Sequence, residues 1–272
     1  MVASVCITYD FDGVAPWLNV YDNPSKHSHG LYSANVAVPR LLDLHDVLDI
    51  DATWFIPGQT IESFPDRCEE IVAAGHPVQH HGWAHRPPQS WESREAERED
   101  LERGIAAIEA LTGDAPTGYR TSGGDFSPHT IELLEELGFD WDASDYADDY
   151  SPYWLEKDWT IDADGVYHRG VESSLVEIPL QWYRDDWLQL MPLGSSTTYL
   201  DERRVFERWN DELEWMCEHV QDGVFVLLLH PLCSGRGLML PHLERFLESI
   251  DSDDRLEFAT VGEVAAAFDG AN

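Results

Sequence analysis

The sequence predicts a single-domain α/β protein with a mostly parallel sheet, either wound open or closed into a barrel. Short apolar runs of strand length alternate with longer helical patterns along the whole chain, which is typical of a parallel sheet covered by helices. The 272 residues are an ordinary length for one α/β barrel, and no internal repeat or low-complexity linker divides them. In both forms of this fold, functional residues lie at the carboxyl ends of the strands.

The elements follow from local periodicity. Apolar runs rich in β-branched and aromatic residues predict strands. These are Ser4–Tyr9, Thr53–Ile56, Val78–His80, Gly118–Thr121, Trp141–Ala143, Leu175–Leu180, Val224–Leu229 and Leu256–Ala259. Apolar residues at helical spacing predict helices over Ala34–Leu48, Ile61–Ala74, Ser93–Leu111, Pro128–Leu137, Glu202–Val220, Pro241–Ser249 and Val261–Phe268. Residues 145–170 show no clear period, and we expect a long functional excursion there.

The charge balance is extreme. Seventeen basic residues face 52 acidic ones, so the formal net charge is −35, and Lys26 and Lys157 are the only lysines. Such a surface repels nucleic acid and anionic membranes, so we expect neither as a partner. Excess carboxylate with few lysines resembles proteins from a high-salt cytoplasm, and we therefore expect a halophilic host.

Cysteine usage and hydropathy bear on the compartment. The four cysteines lie far apart without a C-x-x-C pair, so we expect free thiols rather than a disulfide framework. The N-terminus shows no basic region followed by an apolar one. The longest apolar run, Val224–Leu229, is too short to span a membrane. We therefore expect a cytoplasmic protein, and its state as a monomer or homo-oligomer stays open.

The first predicted strand is followed by two acids, Asp10 and Asp12. Residues two apart in an extended chain face the same side. Two such carboxylates can divide their roles, one as a general base and one as a metal ligand. The alternative is a turn after the strand, since Asp-Gly is a common turn signal, and this motif alone does not decide between them.

A histidine pair follows the strand Val78–His80. His81 and His85 have i, i+4 spacing, which predicts two imidazoles on one face of a helical turn and suits zinc. The chain has 12 histidines, so a chance pair is the alternative. A third ligand from Asp12 would complete a site with an open fourth position, which is typical of catalytic zinc.

Two further strand ends carry basic side chains. Arg120 lies at the end of a strand, where it could hold Asp10 ionised and oriented. The glycines after it, including Gly123, could present a backbone N–H to an oxyanion. His230 directly follows the apolar strand Val224–Leu229, a position suited to acid–base catalysis. The alternatives are a surface arginine and a histidine with a purely structural hydrogen bond.

Aromatic residues cluster near the predicted core motifs, and we expect them to wall a substrate pocket. Tyr153 lies in the irregular excursion, and Trp182, Tyr183 and Trp187 follow the strand Leu175–Leu180. Ligand pockets are commonly lined by aromatic side chains, whose faces stack on sugar rings and on flat imides. For any single one of these residues, a place in the core is an equal alternative.

Together these motifs resemble the NodB-homology polysaccharide deacetylases, carbohydrate esterase family four. That family has a T-[FY]-D-D-G or spaced D-x-D motif, an H-[GST]-x-x-H motif, an arginine loop G-[FY]-R-x-P and a strand that ends in histidine. Here they read Thr8–Gly13, His81–His85, Gly118–Ser122 and Leu229–Pro231, in the same order. Further stretches, such as Trp182–Trp187, resemble a branch that includes allantoinases and cyclic imide hydrolases.

The resemblance implies a distorted barrel of seven β/α units and one divalent metal ion, for which we expect zinc. It implies three metal ligands: Asp12, His81 and His85. It further implies that Asp10 is the general base, that Arg120 orients it and that His230 is the general acid, with Asp142 as the support of His230. The chain departs from the pattern at Ser122 and Gly123, where the family commonly has proline and an aromatic residue, so we expect a more mobile loop.

Three functions are then open. The leading one is metal-dependent removal of acetyl from an N-acetylated sugar or glycan precursor. The second is ring-opening hydrolysis of a cyclic imide or ureide, which also breaks a non-peptide C–N bond. The third, a catalytically silent binding protein, is disfavoured because all the residues to which the motifs assign a catalytic or metal-binding role are present. Similar allantoinases depart from the metal triad, whereas this chain keeps it, which favours a metal enzyme.

The charge excess predicts that salt stabilises the fold. At a net charge of −35, self-repulsion weakens the compact state in dilute buffer, and salt screens that repulsion. Thermal unfolding measured from low to molar salt should therefore show a rising midpoint. A flat response would remove the halophilic interpretation and leave the catalytic one unaffected.

Overall fold

The fold is built around one curled sheet, in a computed structural model that describes residues 2–191 and 201–270. The strands are β1 (Ala3–Asp10), β2 (Thr53–Ile56), β3 (Val78–His80), β4 (Gly118–Tyr119), β5 (Trp141–Asp142), β6 (Tyr153–Lys157), β7 (Thr160–Ile161), β8 (Tyr167–His168), β9 (Val171–Glu177), β10 (Val224–Leu229) and β11 (Leu256–Phe258).

Helices cover the sheet. The α-helices are α1 (Ala15–Asn19), α2 (His27–Tyr32), α3 (Val38–Leu48), α4 (Gly58–Ser63), α5 (Pro65–Ala73), α6 (Arg94–Thr112), α7 (Thr130–Leu137), α8 (Asp186–Leu190), α9 (Glu202–His219), α10 (Pro231–Ser234), α11 (Leu240–Asp251) and α12 (Val261–Ala267). Short 3-10 turns lie at Pro24–Lys26, Pro88–Ser90 and Trp182–Arg184, and a π-helical turn lies at Ser33–Ala37.

Seven strands form the parallel part of the sheet, in the order β10-β1-β2-β3-β4-β5-β9. β6 adds an antiparallel edge to β9, and β11 pairs with the first half of β1. A single parallel bridge between Asp185 and Leu228 brings the segment after β9 against β10. Over residues 2–191 and 201–270, the sheet therefore curls into a barrel joined by this single bridge, which confirms the predicted distorted barrel of seven β/α units.

Both faces of the parallel sheet are buried. The odd-numbered residues of β10 join a large hydrophobic cluster with α3, α9 and α11. Its even-numbered residues Val224, Val226 and Leu228 join a smaller cluster with α12. Burial on both faces explains why the strands read as continuous apolar runs rather than as alternating ones.

Some predicted boundaries need correction. The helix predicted over Ile61–Ala74 is two helices, because Pro65 has no N–H to donate and instead begins α5. The strand predicted over Leu175–Leu180 begins earlier and ends at Glu177. The excursion over residues 145–170 contains β6 and the β7–β8 hairpin, whose short strands leave little periodicity to detect.

Two expectations from composition can be compared with the structure. Cys6, Cys68 and Cys233 are buried and Cys217 is half-buried, and all four are free thiols. Among the helices of residues 2–191 and 201–270, none has both the length and the apolar content that crossing a membrane requires.

Helix α6 lies so close to β3 that Gly104 has no room for a side chain. A Cβ there would be 2.2 Å from His80 Nε2, and His80 is fixed because that nitrogen lies 3.0 Å from the Leu101 carbonyl. Overpacking of this kind typically costs about 1–3 kcal/mol, whereas alanine in place of glycine gains roughly 1 kcal/mol in a helix. Gly104→Ala should therefore lower the free energy of unfolding, although alanine is the better helix former. Urea unfolding measures this change.

Gly262 in α12 is the matched control, since a Cβ there would meet nothing closer than Trp141 at 3.9 Å. Gly262→Ala should leave stability unchanged or raise it by up to about 1 kcal/mol. Equal effects of the two substitutions would show that the contact between Gly104 and His80 is not tight.

Candidate active site

The functional side chains predicted from strand ends meet in one cavity of about 300 Å³ at the carboxyl edge of the sheet. They are Asp10, Asp12, His81, His85, Arg120 and His230. Leu180 and Leu228 form part of its lining and belong to the smaller hydrophobic cluster. The parallel sheet thus supplies both the floor of the cavity and the polar groups around it.

β1 ends at Asp10 and presents both acids to the cavity. Phe11, between them, is fully buried in the large hydrophobic cluster on the other face, and its N–H donates to the Phe55 carbonyl. The chain is then held by Thr60, whose hydroxyl donates to the Asp12 carbonyl at 2.6 Å. The alternation of an extended chain therefore places both carboxylates on one side.

Arg120 binds Asp10 inside the barrel. The Arg120 N–H donates to the His80 carbonyl, which extends the pairing of β3 and β4 by one residue. Its guanidinium is 1% exposed and donates through Nη1 to Asp10 Oδ1 and Thr8 Oγ1, both at 2.9 Å. Nε donates to the Ala143 carbonyl at 2.8 Å. The structure therefore brings together the carboxylate predicted to be the general base and the arginine predicted to orient it.

The segment from His81 to His85 is a loop, so the prediction of a helical turn is wrong. Gly82 has φ +69° and His85 has φ +53°. With these two left-handed residues in the loop, both imidazoles still approach Asp12. The spacing of the two histidines is therefore met by a tight loop, and not by helical periodicity.

Asp12, His81 and His85 form one of two groups in the described residues whose ligand atoms all lie within 4.8 Å of one another. Asp12 Oδ1 is 3.2 Å from His85 Nε2 and 3.6 Å from His81 Nε2. Donors about 2.0–2.1 Å from a tetrahedral zinc ion lie roughly 3.3 Å apart. Asp12 Oδ1 is also buried without a hydrogen-bond partner. Donor types, separations and this free oxygen all fit a metal ion.

Hydrogen bonding orients the ring of His81. Its Nδ1 lies 2.9 Å from the Arg120 carbonyl, and because a carbonyl only accepts, Nδ1 carries the hydrogen and a neutral ring presents the Nε2 lone pair. Burial lowers the pKa of His81, but the carboxylates of Asp10 and Asp12 outweigh this effect and raise the pKa. For Asp12 the directions are opposite: burial raises the pKa of its carboxyl, but His85 and His81 outweigh burial and lower that pKa. This point therefore attracts positive charge.

The second group consists of Asp185, Asp186 and His230. Asp186 Oδ1 accepts from both the backbone N–H and the Nδ1 of His230 at 2.9 Å, and Asp186 Oδ2 accepts from the Ser234 hydroxyl. Burial lowers the pKa of His230, but Asp186 and Asp185 raise it to about 10. Because protein donors already occupy both oxygens of Asp186, this group fixes the orientation of the His230 imidazole and does not fit a metal ion.

The prediction that Asp142 supports His230 is wrong, because the carboxylate that is hydrogen-bonded to the His230 ring is Asp186. Asp142 lies beside Glu177 and accepts from the Ser144 hydroxyl at 3.0 Å. Burial raises the pKa of Asp142 to about 6 and that of Glu177 well above its ordinary value. Sequence reasoning missed Asp186, whose only signal was a pair of adjacent acids between aromatic residues.

Two of the predicted aromatic residues and one predicted glycine line the cavity: Trp182, Trp187 and Gly123. The Trp187 ring centroid is 5.4 Å from that of His230. Trp182 is 59% exposed, so its ring is free to contact a ligand. Gly123 has φ +96°, a conformation that an aromatic residue rarely adopts, so the backbone here suits glycine.

Tyr153 and Tyr183 lie outside this cavity lining, which corrects the expectation that they wall it. The Tyr153 hydroxyl donates to Asp145 at 3.0 Å, and its ring lines a neighbouring groove. The Tyr183 ring packs beside the Arg184 guanidinium at 5.6 Å, and its carbonyl accepts from the Trp209 indole. An aromatic cluster in sequence does not reveal which side of its segment each ring takes.

Comparison with known proteins agrees with the motifs. The family model described as Polysaccharide deacetylase matches residues 17–141. A peptidoglycan deacetylase of Helicobacter pylori is 34% identical over 286 aligned residues, which cover 98% of this chain and 97% of the relative. A solved structure assigned as a polysaccharide deacetylase from Mycobacterium smegmatis is 30% identical, with a TM-score of 0.84 over 97% of this chain and 89% of that one.

An allantoinase structure also shares the fold, with a TM-score of 0.79 at 23% identity over 97% of this chain and 89% of that one. At this identity the likeness concerns the fold alone. The Helicobacter pylori relative matches along nearly its whole length, and the four motifs meet in one cavity. The chain therefore belongs to the polysaccharide deacetylase family.

Proposed function

We propose that this chain is a zinc-dependent hydrolase that removes the acetyl group from an N-acetylated sugar or glycan precursor. The observation that carries the proposal is the convergence of three ligand side chains, a carboxylate and a histidine on one cavity of about 300 Å³. The carboxylate is Asp10 and the histidine is His230. The name of the Helicobacter pylori relative, a peptidoglycan deacetylase, supports an acetylated glycan as the substrate class.

Asp12, His81 and His85 would hold the metal through one carboxylate oxygen and two imidazole nitrogens, a donor set that suits zinc. When bound there, a zinc ion polarises the amide carbonyl and lowers the pKa of water. The protein orients His81 in advance, because the Arg120 carbonyl fixes its ring. Gly123 would contribute a backbone N–H to the developing oxyanion.

Asp10 is the general base in this proposal. Its Oδ1 is bonded to Arg120, so Oδ2, which lies 3.5 Å from His81 Nε2, is the oxygen left to accept a proton. The guanidinium of Arg120 pairs with this carboxylate and fixes its orientation. As water adds to the acetyl carbon, its proton passes to Asp10.

His230 is the general acid. Asp186 holds its Nδ1, and its Nε2 lies 3.9 Å from Asp12 Oδ2, on the cavity side of the ring. Asp186 and Asp185 raise the pKa of His230 to about 10 against the effect of burial, so the ring carries its proton at neutral pH. That proton passes to the leaving nitrogen as the C–N bond breaks, which releases acetate and a free amine.

Ring-opening hydrolysis of a cyclic imide or ureide is the second candidate. The specific observation in its favour is the pair of indole rings, Trp182 and Trp187, in a cavity of about 300 Å³. That volume is at the small end for ligand sites, and flat walls suit a single planar ring. The same base and acid can act, because the bond that breaks is again C–N.

The assigned roles predict different effects of neighbouring substitutions. Asp10→Asn should retain zinc and lose most turnover, whereas Asp12→Asn should lose both zinc and turnover. His230→Ala should retain zinc and slow the reaction by about 10²–10⁴-fold, as expected for loss of acid–base catalysis. Zinc content and rate are measured on the same preparations. The Asp10→Asn and Asp12→Asn variants then serve as controls for each other, because each removes one carboxylate charge from the same strand end. A metal-free Asp10→Asn protein, or a fully loaded Asp12→Asn protein, would contradict these roles.

A substrate screen separates the two candidate reactions. The full chain with zinc at high salt is given N-acetylated sugars and oligosaccharides beside cyclic imides and ureides, with Asp12→Asn as the blank. We expect acetate release from the N-acetylated compounds. Turnover of the cyclic compounds alone would overturn the deacetylase proposal while leaving the metal site intact.

A further inference from the structure

The backbone of His85 is in an unfavourable conformation. Its φ is +53°, and Gly82, three residues earlier, also has a positive φ of +69°. A residue with a side chain costs roughly 1–2 kcal/mol in the left-handed region, and such residues persist where the surroundings hold them. The loop that carries a proposed metal ligand therefore needs support from elsewhere in the fold.

The ring of His85 faces the proposed metal position through Nε2, which lies 3.2 Å from Asp12 Oδ1. Its Nδ1 is buried and has no hydrogen-bond partner among the described residues. His81 differs, because its Nδ1 faces the Arg120 carbonyl at 2.9 Å. Apart from its contact with Asp12, the position of the His85 imidazole therefore depends on the backbone that precedes it.

That backbone is held by a carboxylate in the middle of α6. Asp100 is 8% exposed, and its Oδ2 and Oδ1 accept from the N–H groups of Trp83 and Ala84, each at 2.9 Å. These two donors immediately precede His85. The loop folds around the carboxylate, since a Cβ on Gly82 would lie 3.0 Å from Asp100 Oδ2. Successive N–H groups that converge on an anion form a nest.

The carbonyl groups of the same loop are also engaged. The N–H groups of Gly58 and Gln59 donate to the carbonyls of Gly82 and Trp83, each at 3.0 Å. Asn19 Nδ2 donates to the Ala84 carbonyl at 2.8 Å. The loop is thus fixed on one side by backbone donors and Asn19, and on the other by Asp100.

We propose that Asp100 is a positioning residue for metal binding, which acts by holding the backbone of His85 in its left-handed conformation. The inference rests on the proposed metal site. A buried carboxylate is costly unless it is hydrogen-bonded, and aspartate is a poor residue for a helix interior. Its two bonds to the loop offset both disadvantages.

A purely structural role, in which Asp100 only fastens α6 to the loop, is the alternative to be tested. Glu97 offers the matched control, because it is a second buried carboxylate on α6, 2% exposed. It accepts from the hydroxyls of Ser127 and Thr130 at 2.5 and 2.6 Å, before and at the start of α7. Loss of either carboxylate's bonds should destabilise the fold, but only Asp100 serves the metal loop.

The experiment compares zinc affinity with stability in Asp100→Asn and Glu97→Gln. Each full-length protein is stripped with a chelator, its unfolding midpoint is measured without metal, and it is then titrated with zinc. Asn at position 100 keeps one acceptor and turns an NH₂ donor toward the other N–H. Asp100→Asn should bind zinc about 10–100-fold more weakly than the wild type, as expected for the loss of an outer-shell partner. Glu97→Gln should stay within about twofold.

Equal zinc affinity of Asp100→Asn and the wild type, with a lowered midpoint, would overturn the inference and leave a structural role. If Asp100→Asn does not fold, Asn19→Ala carries the test, because it removes one neutral bond to the same loop, at the Ala84 carbonyl, together with a bond to Gln59 Oε1 outside the loop. It should weaken zinc binding by about 2–12-fold, and an unchanged affinity would then overturn the inference. A wild type that binds no zinc would instead contradict the proposed function, and the inference with it.

Discussion

Two carboxylates at the end of one strand, Asp10 and Asp12, share a buried cleft, and the site is organised around the cost of their negative charge. A buried charge is expensive unless it is paired, and neighbouring carboxylates repel each other. Arg120 offsets the charge of Asp10, and in our proposal a metal ion held by Asp12, His81 and His85 offsets that of Asp12. Because the chain carries a net charge of −35, this compensation also acts against the field of the whole surface.

The parallel sheet makes the compensation possible. β10, β1, β3 and β4 end at one edge and bring His230, the two acids, His81 and Arg120 to it. The arginine and the histidine are also coupled through the backbone, since Arg120 donates to the carbonyl of His80 and accepts from the ring of His81. A slip of one residue between β3 and β4 would turn Arg120 to the opposite face, so register and chemistry are specified together.

Residues at strand ends were predictable from sequence, because parallel strands bring their ends together whatever loops follow. Asp12, His81 and Arg120 are of this kind. The supporting residues were not predictable, since Asp186 lies 44 positions before His230 and Asp100 lies 16 positions after Ala84. Only tertiary packing pairs them. The helical turn expected at the histidine pair was wrong for a local reason, because residue spacing does not reveal two left-handed φ angles.

The central claim is that Asp12, His81 and His85 together hold one metal ion. Crystals grown with zinc, with anomalous data collected above and below the zinc absorption edge, test this claim directly. The account predicts one strong anomalous peak within coordination distance of these three side chains. A peak at Asp185, Asp186 and His230, the other group of metal-ligand type in the described residues, would contradict it, as would the absence of any peak at saturating zinc.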